Sequence, residues 1–213
     1  MKRSRVSCNV CGRRGSTKRS VPMEDSLPIW PQHEAFYIQS MLFHTRQACV
    51  SIDLIAELVC RLSNERKAGV AFDFDCSVAL DHVQNIVFRA AAISRYFWPS
   101  RKRFDDRGAR LRAAFEINED SVLRNRDLRD AAEHFDERLD DYLKGGIVGY
   151  IIPEWFGPLH KQEIPTHYFR AYFINTGHLR ILDQEFFVQP IAEEIIRVHK
   201  SLASFDENGG RMP

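Results

Sequence analysis

The chain has 213 residues, of which 44% are hydrophobic and 28% charged, and a formal net charge of +1. This composition supports a packed core and excludes a disordered or low-complexity polymer. The length favours one domain with room for an appendage. No uncharged apolar run approaches ~18 residues, and the N-terminus lacks the apolar centre of a signal peptide, so we expect a cytoplasmic protein that makes no membrane contact.

The charge is unevenly distributed along the chain. Residues 1–20 contain seven Lys or Arg residues and no acid, which leaves 23 basic and 29 acidic residues, a net charge of −6, in the remainder. A broad polyanion-binding surface is therefore not expected, and a nucleic-acid contact has to be local. We interpret residues 1–22 as a disordered basic tail and expect the folded domain to begin near Met23, which is itself an alternative start of translation.

The five cysteines are odd in number and irregularly spaced, unlike a disulfide framework, which suits a reducing compartment. Cys8 and Cys11 have the spacing of half a zinc knuckle. Tetrahedral zinc needs four ligands, there is no second pair, and His33 would supply only a third ligand. We therefore expect neither a metal nor a cofactor.

Two long helices are predicted in the first half of the chain. Apolar or small residues at alternating steps of four and three predict a helix over residues 33–63. Phe36, Phe43 and Val50 widen its apolar stripe, so we expect this helix to be mostly buried. A break near Gly69 precedes a second helix over residues 77–98, which Pro99 ends. The stripe of the first helix consists of Ile38, Leu42, Thr45, Cys49, Ile52, Ala56 and Val59.

The second half combines shorter helices with strands. Residues 101–115 predict a basic helical connector, and residues 121–143 predict a charge-dense helix that ends before Gly145. Residues 147–155 and 169–188 have strand periodicity around a turn at residues 175–177, which predicts a hairpin, and a final helix follows Pro190. The expected fold is mainly α: a helical bundle over residues 23–145, with a small C-terminal β-hairpin and a terminal helix (residues 146–213) appended to the same domain.

The candidate chemistry lies in the predicted helix over residues 121–143. Arg129, Asp130 and His134 form the pattern Arg-Asp-x-x-x-His, and Asp130 can hydrogen-bond the imidazole four residues later and fix its tautomer. Arg129 and His134 are five residues apart, about 140° around a helix, so they meet only if the long Arg side chain swings toward the ring near a kink. His134 would transfer a proton near neutral pH, while Arg129 would bind a phosphate and stabilise its charge, as metal-free phosphodiester cleavage requires.

A second interpretation of this helix is a solvated surface with weak ion pairs. Arg129 with Glu133, and Asp130 with His134, are both spaced four residues apart, as is His134 with Arg138. From these residues alone, the ion-paired surface helix is the better interpretation.

Wider sequence features resemble the HEPN superfamily, whose members carry an Arg and a His a few residues apart, often with Asn or Asp directly after the Arg. Besides Arg129, Asp130 and His134, the segments SRYFWP (residues 94–99), RGARLR (residues 107–112) and residues 121–143 look like an uncharacterised bacterial family of HEPN-like proteins. The resemblance covers about residues 33–145. It does not explain the C-terminal β element.

The resemblance implies a helical bundle that forms a homodimer, with the Arg and His of both subunits at a shared cleft. It implies a metal-independent endoribonuclease of toxin–antitoxin, phage-defence or RNA-processing systems, with an antitoxin or regulatory partner as a further expectation. His134 would promote attack of the ribose 2′-OH, Arg129 would stabilise the transition state and Asp130 would orient or assist, leaving a 2′,3′-cyclic phosphate. Some HEPN proteins lack nuclease activity, so a non-catalytic dimerisation or nucleotide-binding regulatory module, or a structural partner in a larger complex, stays open.

Three further arginines are candidates for RNA binding. Arg126 lies four residues before Asp130 and either pairs with it, which is favoured, or contacts substrate. Arg95 precedes the aromatic residues 96–98, which either stack on a base or, more often at a helix end, pack in the core. Arg107 belongs to the basic connector, which either rims an RNA channel or is simply solvated.

Overall fold

The computed structural model describes residues 29–69, 73–125, 127, 130, 135–159, 161 and 163–213. The protein is mainly helical, with a four-stranded sheet and a C-terminal helix, so the predicted fold class is confirmed at this level. The helices are α1 (Glu34–Ala68), α2 (Cys76–Phe97), α3 (Asp105–Ala114), α4 (Phe135–Lys144) and α5 (Val188–Glu207). The strands are β1 (Tyr150–Gly157), β2 (Thr166–Phe173), β3 (His178–Ile181) and β4 (Gln184–Phe187).

Helices α1, α2 and α5 form the helical layer. Helix α1 has 35 residues and is therefore about 52 Å long, and both α2 and α5 pack along it. Helix α2 begins where the Asp75 side chain accepts a hydrogen bond from the Val78 backbone N–H at 3.1 Å, and it ends one residue before Trp98. The buried apolar side chains of this layer include Ile38, Met41, Leu42, Leu80, Val83, Val87, Ile195, Val198 and Leu202.

The outer side of α1 differs from the sequence prediction. Phe36, Phe43 and Val50 were expected to widen a buried stripe, but they are 74%, 57% and 54% exposed. The reason is geometric, because α2 and α5 cover the side of α1 that carries Ile38 and Leu42. The opposite side is left largely open, with the Arg89 guanidinium of α2 lying 5.4 Å from the Phe43 ring centre. The prediction that α1 is mostly buried is therefore wrong for this face.

The sheet has the order β1-β2-β3-β4, with β1 parallel to β2 and the other neighbours antiparallel. The predicted hairpin is confirmed as β2 and β3, joined by a turn in which Gly177 has a φ of 70°. The sheet is larger than predicted, because a second turn at Leu182 separates β4 from β3 and because β1 pairs with β2. Pro153, which has no backbone N–H, lies in the edge strand β1, where this loss is tolerated.

The sheet and the helices share one apolar core. Phe156, Leu179 and Phe186 project from β1, β3 and β4 into the cluster that also contains Leu80 and Ile195 of the helical layer. The C-terminal β element is therefore packed onto the helices through buried apolar surface. A smaller apolar cluster is formed within the sheet by Tyr168, Ala171, Phe173, Ile152 and Trp155.

The connector is helical, as predicted, but the next helix begins later than predicted. The connector consists of a 3-10 turn at residues 102–104 followed by α3. Residues 122–124 form only a single 3-10 turn, in which the Ser121 side chain accepts a hydrogen bond from the Leu123 backbone N–H. Asn125 then has a ψ of 122°, outside the helical region, so a continuous helix from Ser121 is wrong.

We expect Gly149→Ala to destabilise the fold by about 3 kcal/mol or more. Gly149 has a φ of 118°, and a Cβ there would overlap the Pro165 carbonyl oxygen, which accepts a hydrogen bond from the Tyr150 backbone N–H at 2.9 Å. Gly146→Ala is the matched control, because Gly146 has a φ of 77° but no atom within 4 Å of the added Cβ, so it should cost only about 1 kcal/mol. Urea unfolding measures both, and equal losses would contradict the steric argument.

Candidate functional site

Of the predicted catalytic residues, only Asp130 is among those that the structure describes. It is helical and exposed to solvent. Arg129 and His134, together with the RNA-binding candidate Arg126, lie outside the described residues. The described residues on either side of this segment do show how the chain enters and leaves it.

The chain before the motif is held by an ion pair on α5. Arg197 donates two hydrogen bonds of 2.8 Å to the two carboxylate oxygens of Glu194, and a third of 2.8 Å to the Phe115 carbonyl oxygen. Ser121 donates to the same carboxylate at 3.1 Å. The bonds from Arg197 lower the pKa of Glu194 against the opposing effect of burial, and the bond to Glu194 raises the pKa of Arg197. This clamp fixes residues 115–121 against α5.

Asn125 makes a side-chain hydrogen bond typical of a helix start. The Asn125 side-chain oxygen accepts a hydrogen bond of 2.8 Å from the Asp127 backbone N–H, which is how an Asn caps the first turn of a helix. Asp127 and Asp130 both have helical conformation. Their negative charges lie close to this helix start, where the helix dipole favours acidic side chains.

The chain after the motif is held by contacts between α4 and the sheet. The guanidinium carbon of Arg170 on β2 lies 4.4 Å from the ring centre of Phe135, the residue that directly follows His134. Arg138 forms an ion pair of 3.2 Å with Asp183 in the turn between β3 and β4. The described residues before the motif are therefore held by α5, and those after it are held by the sheet.

A tyrosine–histidine pair completes the attachment of α4. His167 on β2 approaches the Val148 carbonyl oxygen through Nε2 at 3.2 Å, and the Tyr142 hydroxyl through Nδ1 at 2.6 Å. A carbonyl oxygen only accepts, so Nε2 of His167 donates to it, and Nδ1 is the ring nitrogen that faces the Tyr142 hydroxyl. Burial raises the pKa of Tyr142, which keeps this hydroxyl a donor.

The two described RNA-binding candidates differ in their contacts. Arg107 donates a hydrogen bond of 3.0 Å to the Arg95 carbonyl oxygen and its guanidinium lies 5.4 Å from the Phe104 ring centre, so it ties the connector to α2. The Arg95 side chain is exposed. Among the other basic residues of the connector, Arg110 and Arg112 pair with acids. Arg101, Lys102 and Arg103 are exposed.

A polar network between α1 and α2 was not found by sequence reasoning. Arg89 donates to the Asn85 side-chain oxygen at 3.0 Å and contacts Nδ1 of His44 at 3.3 Å. The Asn85 amide donates to Ser51 at 2.9 Å, and Ser51 lies 3.2 Å from Nδ1 of His82. Only the spacing of Asn85 and Arg89 was visible in the sequence, because their partners lie on another helix.

His44 of this network is neutral near neutral pH. Burial lowers the pKa of His44, and the positive charge of Arg89 lowers it further. Because an arginine only donates, Nδ1 of His44 accepts this bond and the ring proton is on Nε2. The network therefore places a neutral imidazole beside a guanidinium whose direction Asn85 fixes.

A groove that includes the Arg197 and Glu194 ion pair is acidic. It has a volume of about 610 Å³ and lies between the 116–122 loop and the start of α5. Its charged lining residues are Glu116, Asp120, Glu193, Glu194 and Arg197. An excess of carboxylates repels a polyanion, so this groove disfavours RNA.

The described part of the chain contains no group of three or more His, Cys, Asp or Glu residues placed to hold a metal ion, while Cys8 and Cys11 lie outside it. Each helix in the described ranges is too short or too polar to cross a lipid bilayer. Comparisons with protein-family models, curated proteins and solved structures find no match for this chain. The function is therefore argued from the geometry and chemistry above.

We expect His44→Asn to weaken the dependence of stability on pH between about pH 7.5 and 5. The pKa of His44 is lower in the folded state than its ordinary value of 6.5, so the folded state resists protonation. The wild type therefore loses stability as the pH falls below 6.5 toward the folded-state pKa. Asparagine keeps an acceptor for Arg89 but does not titrate.

Urea unfolding of both proteins across this pH range measures the difference. A fall in stability of equal size in the wild type and in His44→Asn would show that this histidine does not resist protonation in the folded protein.

Proposed function

We propose that the chain is a metal-independent endoribonuclease of HEPN type, with Arg129, Asp130 and His134 as its catalytic residues. The observation that supports this function best is that Ser121 before the motif and Phe135 after it contact α5 and the sheet, while Asp130 is exposed. Catalytic groups need a rigid support and access to substrate at the same time. If the motif were only a solvated helix surface with weak ion pairs, the contacts with α5 and with the sheet would not be needed.

In the proposed reaction, His134 accepts the proton of a ribose 2′-OH. The 2′-oxygen forms a bond to the adjacent phosphorus, and the bond from phosphorus to the 5′-oxygen breaks. The leaving oxygen takes a proton from water, so the products are a 2′,3′-cyclic phosphate and a 5′-hydroxyl. Arg129 stabilises the extra negative charge on the phosphate oxygens, and Asp130 orients the imidazole.

The RNA would avoid the acidic groove and contact exposed basic residues instead. Arg95 is exposed, as are the basic residues 101–103, and we propose that they bind the phosphate backbone with Arg107 and Arg126. Arg170 is an additional candidate, because it contacts the residue next to His134. Sequence reasoning missed Arg170 because it belongs to a strand that folds back onto α4.

The proposed biological setting follows from the same resemblance. We propose a cytoplasmic homodimer that acts in a toxin–antitoxin, phage-defence or RNA-processing system, with an antitoxin or regulatory partner controlling it.

The alternative function is a non-catalytic HEPN-like dimerisation or nucleotide-binding module. One observation favours its dimerisation form: three large apolar side chains, Phe36, Phe43 and Val50, are exposed along α1. Exposed apolar patches of this kind mark interaction surfaces on soluble proteins.

The test is cleavage of labelled structured RNA in EDTA by the wild type and by His134→Ala and Arg129→Ala. We expect each substitution to reduce the cleavage rate by at least about a hundredfold, with a cyclic phosphate on the wild-type products. His33→Ala is the matched control, because His33 is an exposed histidine in the 3-10 turn before α1 and should leave the rate unchanged. Circular dichroism checks that each variant is folded.

Two outcomes would contradict the proposal. Equal cleavage by the wild type and His134→Ala would place the activity elsewhere or in a contaminant. No cleavage of any RNA in a broad panel, by protein that mass spectrometry shows to be free of other chains, would favour the dimerisation module.

A further inference from the structure

Helix α1 carries a stripe of exposed apolar side chains on the side that faces away from the core. Phe36, Phe43, Val50 and Leu54 are 74%, 57%, 54% and 43% exposed. The first three follow each other at intervals of seven residues, and Leu54 lies four residues after Val50. A seven-residue repeat keeps side chains on one seam of a helix that pairs with another helix.

The remaining positions of α1 agree with a heptad repeat. With Phe36, Phe43 and Val50 at position d, position a contains Ser40, Gln47 and Leu54, all of which are exposed. The flanking e positions are partly or fully buried because α2 covers them. The flanking g positions are exposed. The e residues are Tyr37, His44, Ser51 and Leu58, and the g residues are Gln39, Arg46, Asp53 and Cys60.

The charges at the g positions decide which way a second α1 helix would run. In a parallel pair, g faces e of the other helix, and the e positions here are uncharged side chains against α2. In an antiparallel pair, g faces g, which brings Arg46 of each copy beside Asp53 of the other copy. Both side chains are exposed, and no ion pair to either one is seen among the described residues.

We propose that α1 is a self-association surface on which a second copy of this chain packs antiparallel through the Phe36, Phe43, Val50 and Leu54 stripe.

The proposed register places a positions opposite d positions. Phe43 of each copy then lies against Leu54 of the other, and Val50 lies against Gln47, on either side of a twofold axis near residues 48 and 49. The arrangement is self-complementary, as a twofold dimer requires. It also removes the exposed Phe43 ring of each copy from water, which provides the driving force.

This surface is distinct from the shared Arg and His cleft that the HEPN resemblance implies. It lies on α1, whereas the described motif residue Asp130 lies near the start of a different helical segment. The inference does not depend on RNA cleavage. An inactive protein that dimerises through α1 would contradict the proposed nuclease and leave this inference standing.

The test is sedimentation velocity of the full chain over a concentration series. We expect the wild type to be a dimer and Phe43→Glu to be a monomer, because the substitution places a carboxylate against Leu54 of the other copy. Val148→Glu is the matched control, since Val148 is 77% exposed but lies outside the stripe, and it should remain a dimer. Circular dichroism confirms the helical fold of each variant.

A charge exchange tests the orientation separately. Arg46→Asp and Asp53→Arg should each weaken the dimer by about tenfold, because each turns two attractive contacts into two repulsive ones. Combining both substitutions restores opposite charges across the interface and should restore the affinity. A monomeric wild type, or a dimer that Phe43→Glu leaves intact, would overturn the proposed surface. A combined variant as weak as the single ones would overturn the antiparallel register.

Discussion

The structure depends on the packing of α2 and α5 against the same side of α1. This contact buries the centre of the core, and α2 also supports the sheet. Because α1 extends for about 52 Å and is covered on one side only, its remaining apolar residues lie in water. The arrangement that stabilises the monomer therefore also creates the surface that we propose for self-association.

The described residues on both sides of the Arg129 to His134 motif contact other parts of the fold. Arg197 on α5 holds the chain before it through Glu194 and Phe115, and Arg170 on β2 lies against Phe135 after it. Both anchors come from the C-terminal part of the chain, for which the HEPN resemblance gave no role. The sheet and terminal helix thus support the segment on which the proposed chemistry depends.

The two proposals use different helical segments of the chain and depend on different physical interactions. The proposed nuclease depends on proton transfer and on cations close to phosphate, so salt and pH should change it. The α1 surface depends mainly on apolar burial, with the charges of Arg46 and Asp53 selecting the orientation. The neutral His44 beside Arg89 belongs to the polar contact between α1 and α2, next to this surface.

The sequence by itself determined the local features of this protein. Helical periodicity identified α1, α2 and α5, Pro99 marked the end of α2, and residues 175–177 marked the turn between β2 and β3. These features follow from backbone geometry and short-range hydrogen bonds, which are determined by residues close together in the sequence. The sequence also showed the residue types of the Arg129, Asp130 and His134 motif. Only the tertiary structure decided that Phe43 is exposed, that β1 pairs parallel to β2, and that Arg170 reaches Phe135, because such contacts join distant parts of the chain.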